Sequence, residues 1–226
     1  MLEAATTESA APAAGSWDWP PGGIPAGQRP VEDVVAAGVL LDVTRVLGGL
    51  LGLARPALGI RTERVTMLVR LMARALDLDR PWEFEVAARL SQIGWLTVPA
   101  ETHDAALRGD SLPDEEWCVV ASHPLVARDL LAEVGRLDGV REMIARQREP
   151  FSVTGETPAP VTRRDRLMLG GHMLRVCAEY VTLLERGLAP SAAVDRLTSQ
   201  PLEFDPALVH VLARCTGADR APDQKS

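Results

Sequence analysis

The side chains able to do chemistry are few and scattered along the chain. Three cysteines, Cys118, Cys177 and Cys215, share no CxxC spacing. An odd, dispersed set rules out a disulfide framework or a zinc ribbon and suits a reducing cytosol. Cys118 and Cys177 fall on apolar helix faces and read as small core residues rather than reactive thiols. Ser91 has no Ser/His/Asp order around it that would make it a nucleophile. Gly170-Gly171 lacks the preceding strand that a phosphate loop wants, so close helix packing is expected there. Among the histidines, His103, His172 and His210 are expected at the surface or the core edge. His123 precedes Pro124, a place where an imidazole can bond a backbone carbonyl. The run Arg163-Arg164-Asp165-Arg166 reads as a solvated helix start.

The elements that must position these residues are helical. Val35, Val39, Val43, Val46, Leu47 and Leu50 recur at spacings of three and four, one face of a helix from Pro30 to Pro56 that is expected to be buried. Val65, Leu68, Val69, Met72, Ala73 and Leu76 make a second stripe within 61–76. Pro81 opens a third helix carrying Phe84, Ala87, Leu90 and Ile93. Gly109–Pro113 reads as a turn, with Ser111 or Asp114 as a cap for a helix through Cys118 to Ser122. Pro124–Glu133 and Gly139–Arg148 read as two more helices, 150–162 as a loop, 167–184 as a long helix, and 191–198 and 206–214 as short closing ones. Only Leu96–Val98 is strand-like. No stretch sustains period-two alternation, so the fold class is all-α: a single helical bundle over 31–216 with a long leading helix.

Residues 1–30, rich in Ala, Gly, Pro, Ser and Thr, are expected to be a disordered tail in which Trp17 and Trp19 are the apolar exceptions. The C-terminus, 217–226, is expected to fray. The chain has 226 residues, enough for one domain with a sizeable core. Its 24 Lys+Arg against 31 Asp+Glu give a net charge of −7, which argues against non-specific nucleic-acid binding and against docking on anionic lipid. The N-terminus has no basic stretch of a secretory signal, and Asp42, Arg45 and Arg55 interrupt the most apolar window. No membrane partner and a cytoplasmic location are expected.

Between Arg61 and Arg214 the order of features is distinctive. Arg61-Thr62-Glu63-Arg64-Val65 precedes Ala87-Ala88-Arg89-Leu90-Ser91-Gln92-Ile93-Gly94-Trp95-Leu96-Thr97-Val98-Pro99. Then come Leu112-Pro113-Asp114-Glu115-Glu116-Trp117, Ser122-His123-Pro124-Leu125, Arg175-Val176-Cys177-Ala178-Glu179-Tyr180 and Phe204-Asp205-Pro206. Over about two-thirds of the chain this resembles an HD-GYP domain, the branch of the HD phosphohydrolase superfamily associated with bacterial cyclic di-GMP hydrolysis. The resemblance implies a helical pocket in which imidazoles and carboxylates hold two or three metal ions.

Most of the positions that would supply those ligands are changed. Arg61 stands where the leading His belongs, and Ser91-Gln92 where the His-Asp doublet belongs. Trp95 replaces a Lys. His123 remains in its His-Pro pair. Gln147-Arg148-Glu149 corresponds to a His-His-Glu run, and Glu179 to a late Asp. The Gly-Tyr-Pro signature is absent from the 150–162 loop, which offers only Gly155-Glu156-Thr157-Pro158. A guanidinium has no free lone pair, so Arg61 and Arg148 are not ligands. One imidazole and one carboxylate do not make a catalytic metal pair. The expectation is a fold that has lost its metals, with no cofactor and no catalytic residue. Arg61, Arg148, Glu179 and His123 would then form an ion-pair cluster in the former metal cavity. Alternatively, Arg61 and Arg148 would form an anion site.

Three functions follow from the resemblance. The first is a catalytically inactive protein-interaction or scaffold element in bacterial signal transduction, with signalling proteins as partners and a homodimer through the leading helix. The second is a divergent metal-dependent phosphodiesterase acting on cyclic di-GMP or a related nucleotide, with ligands drawn from Glu101, His103 or Asp104. The third is a non-hydrolytic anion or nucleotide sensor.

Overall fold

The computed structural model describes residues 31–151 and 163–218. The N-terminal tail with Trp17 and Trp19, most of the 150–162 loop and the last eight residues lie outside the described residues. The described chain is helical throughout: α1 (Val31–Ala54), α2 (Pro56–Ala75), α3 (Pro81–Ser91), a 3-10 turn (Ile93–Thr97), α4 (Ala100–Arg108), α5 (Asp114–Leu130), α6 (Asp138–Arg146), α7 (Arg163–Glu185), α8 (Pro190–Thr198) and α9 (Pro206–Thr216). No strand occurs among the described residues.

Local chemistry sets most of the boundaries. Prolines 56, 81, 190 and 206 occupy first-turn positions, where a missing N–H removes nothing. Asp205 caps α9 by accepting from the N–H groups of Ala207 and Leu208. Gly109 and Gly217 end α4 and α9 with φ of 81° and 68°, a left-handed backbone that glycine takes without strain. The core lies where α2, α3, α6 and α7 meet, around Val65, Met72, Phe84, Leu90, Ile144 and Leu174. Gly170 and Gly171 let α7 approach α6: a Cβ on Gly170 would stand 2.5 Å from Met143 Cγ, and one on Gly171 2.6 Å from Arg146 Cβ.

Several expectations are corrected. The strand-like Leu96–Val98 belongs to the 3-10 turn and its exit, and α4 fills a stretch with no clear apolar period. Pro124 does not divide two helices, because α5 runs through it. Helix α2 starts at Pro56 rather than at 61. Cys118 is exposed, whereas Cys177 is buried against Met72 with 3.4 Å between their sulfurs. His103 and His172 are buried, not peripheral.

The largest correction concerns α1. The valine and leucine face that reads as core in sequence points outward, while the helix packs on the body through Ala37, Thr44, Gly48 and Leu51. That inner face is made of small residues, so α1 sits close to α3; a Cβ on Gly48 would already touch Arg89 at 3.4 Å. Apolar residues occur on both sides of this helix, and periodicity alone could not say which side faces in. By length and composition the segment Ala37–Ala54 is long and apolar enough to cross a membrane, yet one side of it is held by the bundle.

Candidate functional site

A cavity of about 250 Å³ opens between α2, the α3–turn junction, α5, α6 and α7. Six of the seven positions singled out in sequence line it: Arg61, Gln92, His123, Gln147, Arg148 and Glu179. The seventh, Ser91, is fully buried one layer behind. The cavity also takes in Trp95, expected over the site in place of a Lys, together with Trp117, Arg175, Arg186 and Phe204, for which no place in the pocket was expected. Residues from five elements therefore converge on one space.

Arg61 organises the deep wall. Its Nη1 donates to Glu185 Oε2 at 2.5 Å, and its Nη2 to Thr182 Oγ1 at 2.9 Å and to the Ala178 carbonyl at 3.1 Å. Its Nε donates to Gln92 Oε1 at 3.3 Å. Positions 178, 182 and 185 share one face of α7, so a single guanidinium ties α2 to that face. Burial pulls the Arg61 pKa below its ordinary value, and Glu185 opposes that shift. Gln92 passes the chain of bonds on, its Nε2 donating to Ser91 Oγ at 2.9 Å, and Ser91 Oγ donating to the Ala88 carbonyl at 2.8 Å. The Ser91-Gln92 pair is thus a neutral relay within the wall.

The expected cluster of Arg61, Arg148, Glu179 and His123 does not form as ion pairs. The carboxylate partner of Arg61 is Glu185, two turns beyond Glu179 on α7. Nothing in the sequence marks Glu185 beyond its place on the same stripe. Arg61 also has little left to offer an anion, because four of its five N–H groups are already engaged. Arg148 differs. Its guanidinium lies 5.9 Å from the Trp117 ring centroid and donates no hydrogen bond to any described residue. Burial, and then repulsion from Arg175, lower its pKa. Beside it the buried Gln147 Nε2 has no partner. The neighbouring Arg175 is engaged with the Arg148 carbonyl (2.7 Å) and Glu203, and Arg186 with the carbonyls of Leu107 and Ala106.

His123 owes its pose to the proline after it. Pro124 has no N–H to give the carbonyl four residues back, which is that of Val120. His123 Nδ1 fills the gap by donating to Val120 O at 2.7 Å, so its Nε2 keeps the lone pair. Trp95 stacks on this ring at 4.1 Å between centroids and meets His103 edge-on at 4.8 Å. The contact depends on Gly94, which lets the turn lie directly on the α5 backbone at His123. Arg55 holds the other side of the turn, donating to the carbonyls of Trp95 (3.0 Å) and Val98 (2.7 Å).

Burial pushes His123 down to about 4, with the Val120 bond opposing and the charges of Arg148 and Arg61 adding to the drop. Its unfolded value is 6.5. The folded state therefore refuses a proton that the unfolded chain accepts below pH 6.5. This contribution is whole above pH 6.5 and is lost as pH falls toward 4, about 3 kcal/mol in all. His103 and His172, also lowered by burial, act in the same direction. Asp205, raised by burial, acts in the opposite one. Urea unfolding at pH 7 and pH 4.5 should show a loss of that order; a flat profile would mean His123 is not held neutral.

The donor set does not fit a catalytic metal centre. Of the described residues lining the cavity, only His123 and Glu179 present an imidazole or a carboxylate. No group of three or more His, Cys, Asp or Glu placed to hold a metal occurs among the described residues. His103, Asp104 and Glu101 give no substitute: His103 Nδ1 bonds Asp104 at 3.0 Å, and Glu101 is exposed on α4. Guanidinium charge on the cavity wall repels divalent cations as well.

Comparison with known proteins adds one finding. A family model described as HD domain matches residues 45–208, well over half of the chain and the whole of this cavity's wall. No curated protein matches the chain.

Proposed function

The chain belongs to the HD domain family, and we propose that within this phosphohydrolase-type superfamily it is a non-hydrolytic member: an interaction element of bacterial signalling whose pocket takes an anionic, phosphate-bearing ligand in place of metal ions. The HD-GYP branch is the one whose features the sequence carries in order. The observation that supports the reading is the chemistry of the cavity wall. Where metal ligands would be needed there are mostly cations and amides, and the N–H donors of Arg148 and of the Gln147 Nε2 have no acceptor among the described residues.

The geometry suits binding without cleavage. A guanidinium fork donates to two phosphoryl oxygens at once, and the Gln147 amide lies in the neighbouring position of the chain. Trp117 offers a flat apolar surface beside them. The volume is below that of pockets that enclose whole drug-sized molecules, so it fits a phosphoryl group with the rest of the ligand outside. Hydrolysis would need an activated water. With a pKa of about 4, His123 is a weak proton acceptor at neutral pH.

Calorimetric titration tests this with two probes, inorganic phosphate and cyclic di-GMP. Binding by at least one is expected, with stabilisation against heat of about 2.7 kcal/mol at a hundredfold excess over Kd. Arg148→Gln should remove both signals while leaving the fold intact, since beyond its contact with the Trp117 ring that side chain donates to no other described residue. No heat at high micromolar concentrations of either probe would overturn the anion reading. Stoichiometric iron, manganese or zinc in protein purified without chelator, or phosphodiester turnover abolished by EDTA, would overturn the non-hydrolytic reading.

A further inference from the structure

The outward face of α1 has no role in the bundle. Val39, Val43, Val46, Leu50 and Leu53 are between 51% and 83% exposed. Helices of monomeric proteins turn such a stripe inward, and here the inner side is taken by Ala37, Thr44, Gly48 and Leu51. We propose that this face is a self-association seam, covered in solution by α1 of a second copy of this chain.

Spacing supplies the first argument. From Val39 the exposed residues step by four, three, four and three. That is the 3.5-residue period of a left-handed coiled coil, with Val43 and Leu50 at one core position and Val39, Val46 and Leu53 at the other. A globular partner would set no such period, whereas a second helix does. The seam is continuous over about 21 Å. Gly38 and Gly49 flank it with open space where a Cβ would stand, which leaves room for a close approach.

Area supplies the second. The exposed parts of these side chains, with Val35 and Leu47 beside them, amount to roughly 600 Å² per copy, at the upper limit of apolar patches on monomers and near the ~800 Å² per partner of stable pairs. Charge supplies the third. Glu32 and Asp33 lie in the first turn of α1, ahead of the seam; along the seam the only charged residues of the helix are Asp42 and Arg45, which neutralise each other at 3.0 Å, and the last turn has no basic residue. A helix lying on an anionic membrane relies on Lys and Arg along its polar border, and the chain's net charge is −7. An uncharged apolar stripe is complementary to its own copy.

Sedimentation of the full chain tests the seam, and it does so independently of what the pocket binds. At ~50 µM the expected mass is twice that of one chain, with a Tm that rises with protein concentration. Val46→Glu combined with Leu50→Glu should give a monomer of unchanged helical circular dichroism, because neither side chain touches the core. A monomeric wild type would overturn the proposal. If dimers form only after Trp17→Ala and Trp19→Ala, the chain's own tail covers the face and the proposal also fails. A wild type that is monomeric alone but pellets with phosphatidylcholine vesicles would assign the face to lipid. A double variant that still forms dimers would place the interface elsewhere.

Discussion

Gly94→Ala should unfold the protein or cost more than about 4 kcal/mol, the largest single-residue loss expected anywhere outside the main core. A Cβ at position 94 would stand 1.8 Å from the His123 carbonyl oxygen, 2.7 Å from its carbonyl carbon and 3.2 Å from Ala127 N. All three are backbone atoms of α5, so no rotamer change relieves the clash. The turn would have to lift off α5, and Trp95 would leave the His123 ring with it. Typical overpacking costs 1–3 kcal/mol because side chains give way; here a helix must move. Gly135→Ala is the control, since its Cβ meets nothing within 4 Å. It should be neutral or stabilising by up to ~1 kcal/mol, as expected where alanine fits without strain. Urea denaturation of both variants decides the matter, and a Gly94→Ala protein within 1 kcal/mol of wild type would mean the turn does not rest on α5.

Arg61→Ala comes next, with an expected loss of about 4 kcal/mol. The change strands a carboxylate, an amide oxygen, a hydroxyl and a carbonyl at once, on Glu185, Gln92, Thr182 and Ala178. For a domain of this size that corresponds to a fall in Tm of roughly 10 °C. Arg61→Lys keeps a cation for Glu185 but cannot reach four acceptors in different directions, so it should recover only part of the loss. Combining Arg61→Ala with Glu185→Gln should cost less than the sum of the two changes, because the stranded charge is gone. Strict additivity of the pair would show that the bond between Arg61 and Glu185 contributes nothing to stability, and the account of the deep wall would fall with it.

Residue chemistry that does not depend on position in space was legible from the start. Pro81 and Pro206 mark two helix starts, whereas Pro56, read as the end of one helix, also opens the next. Missing imidazoles at 61, 91 and 147 are missing in any fold. The convergence of Arg61, Gln92, His123, Gln147, Arg148 and Glu179 on one cavity was reached through an ordered set of motifs, each short and local. What failed is also specific. Pro124 looked like a helix break, but the His123 ring supplies the hydrogen bond that the proline withholds, and α5 continues. Arg61 seemed free to meet an anion or Glu179, but its partners stand up to 124 residues away, and no local pattern names them.

The amino-acid sequence by itself determined the all-helical class and the scarcity of metal-binding side chains, because period and donor chemistry belong to the residues wherever they go. Tertiary structure alone decided which side of α1 faces the body, which carboxylate neutralises Arg61 and which arginine of the cavity has no hydrogen-bond partner among the described residues. Those outcomes depend on how helices rotate about their axes and meet others distant in sequence, and a rotation leaves every local spacing unchanged.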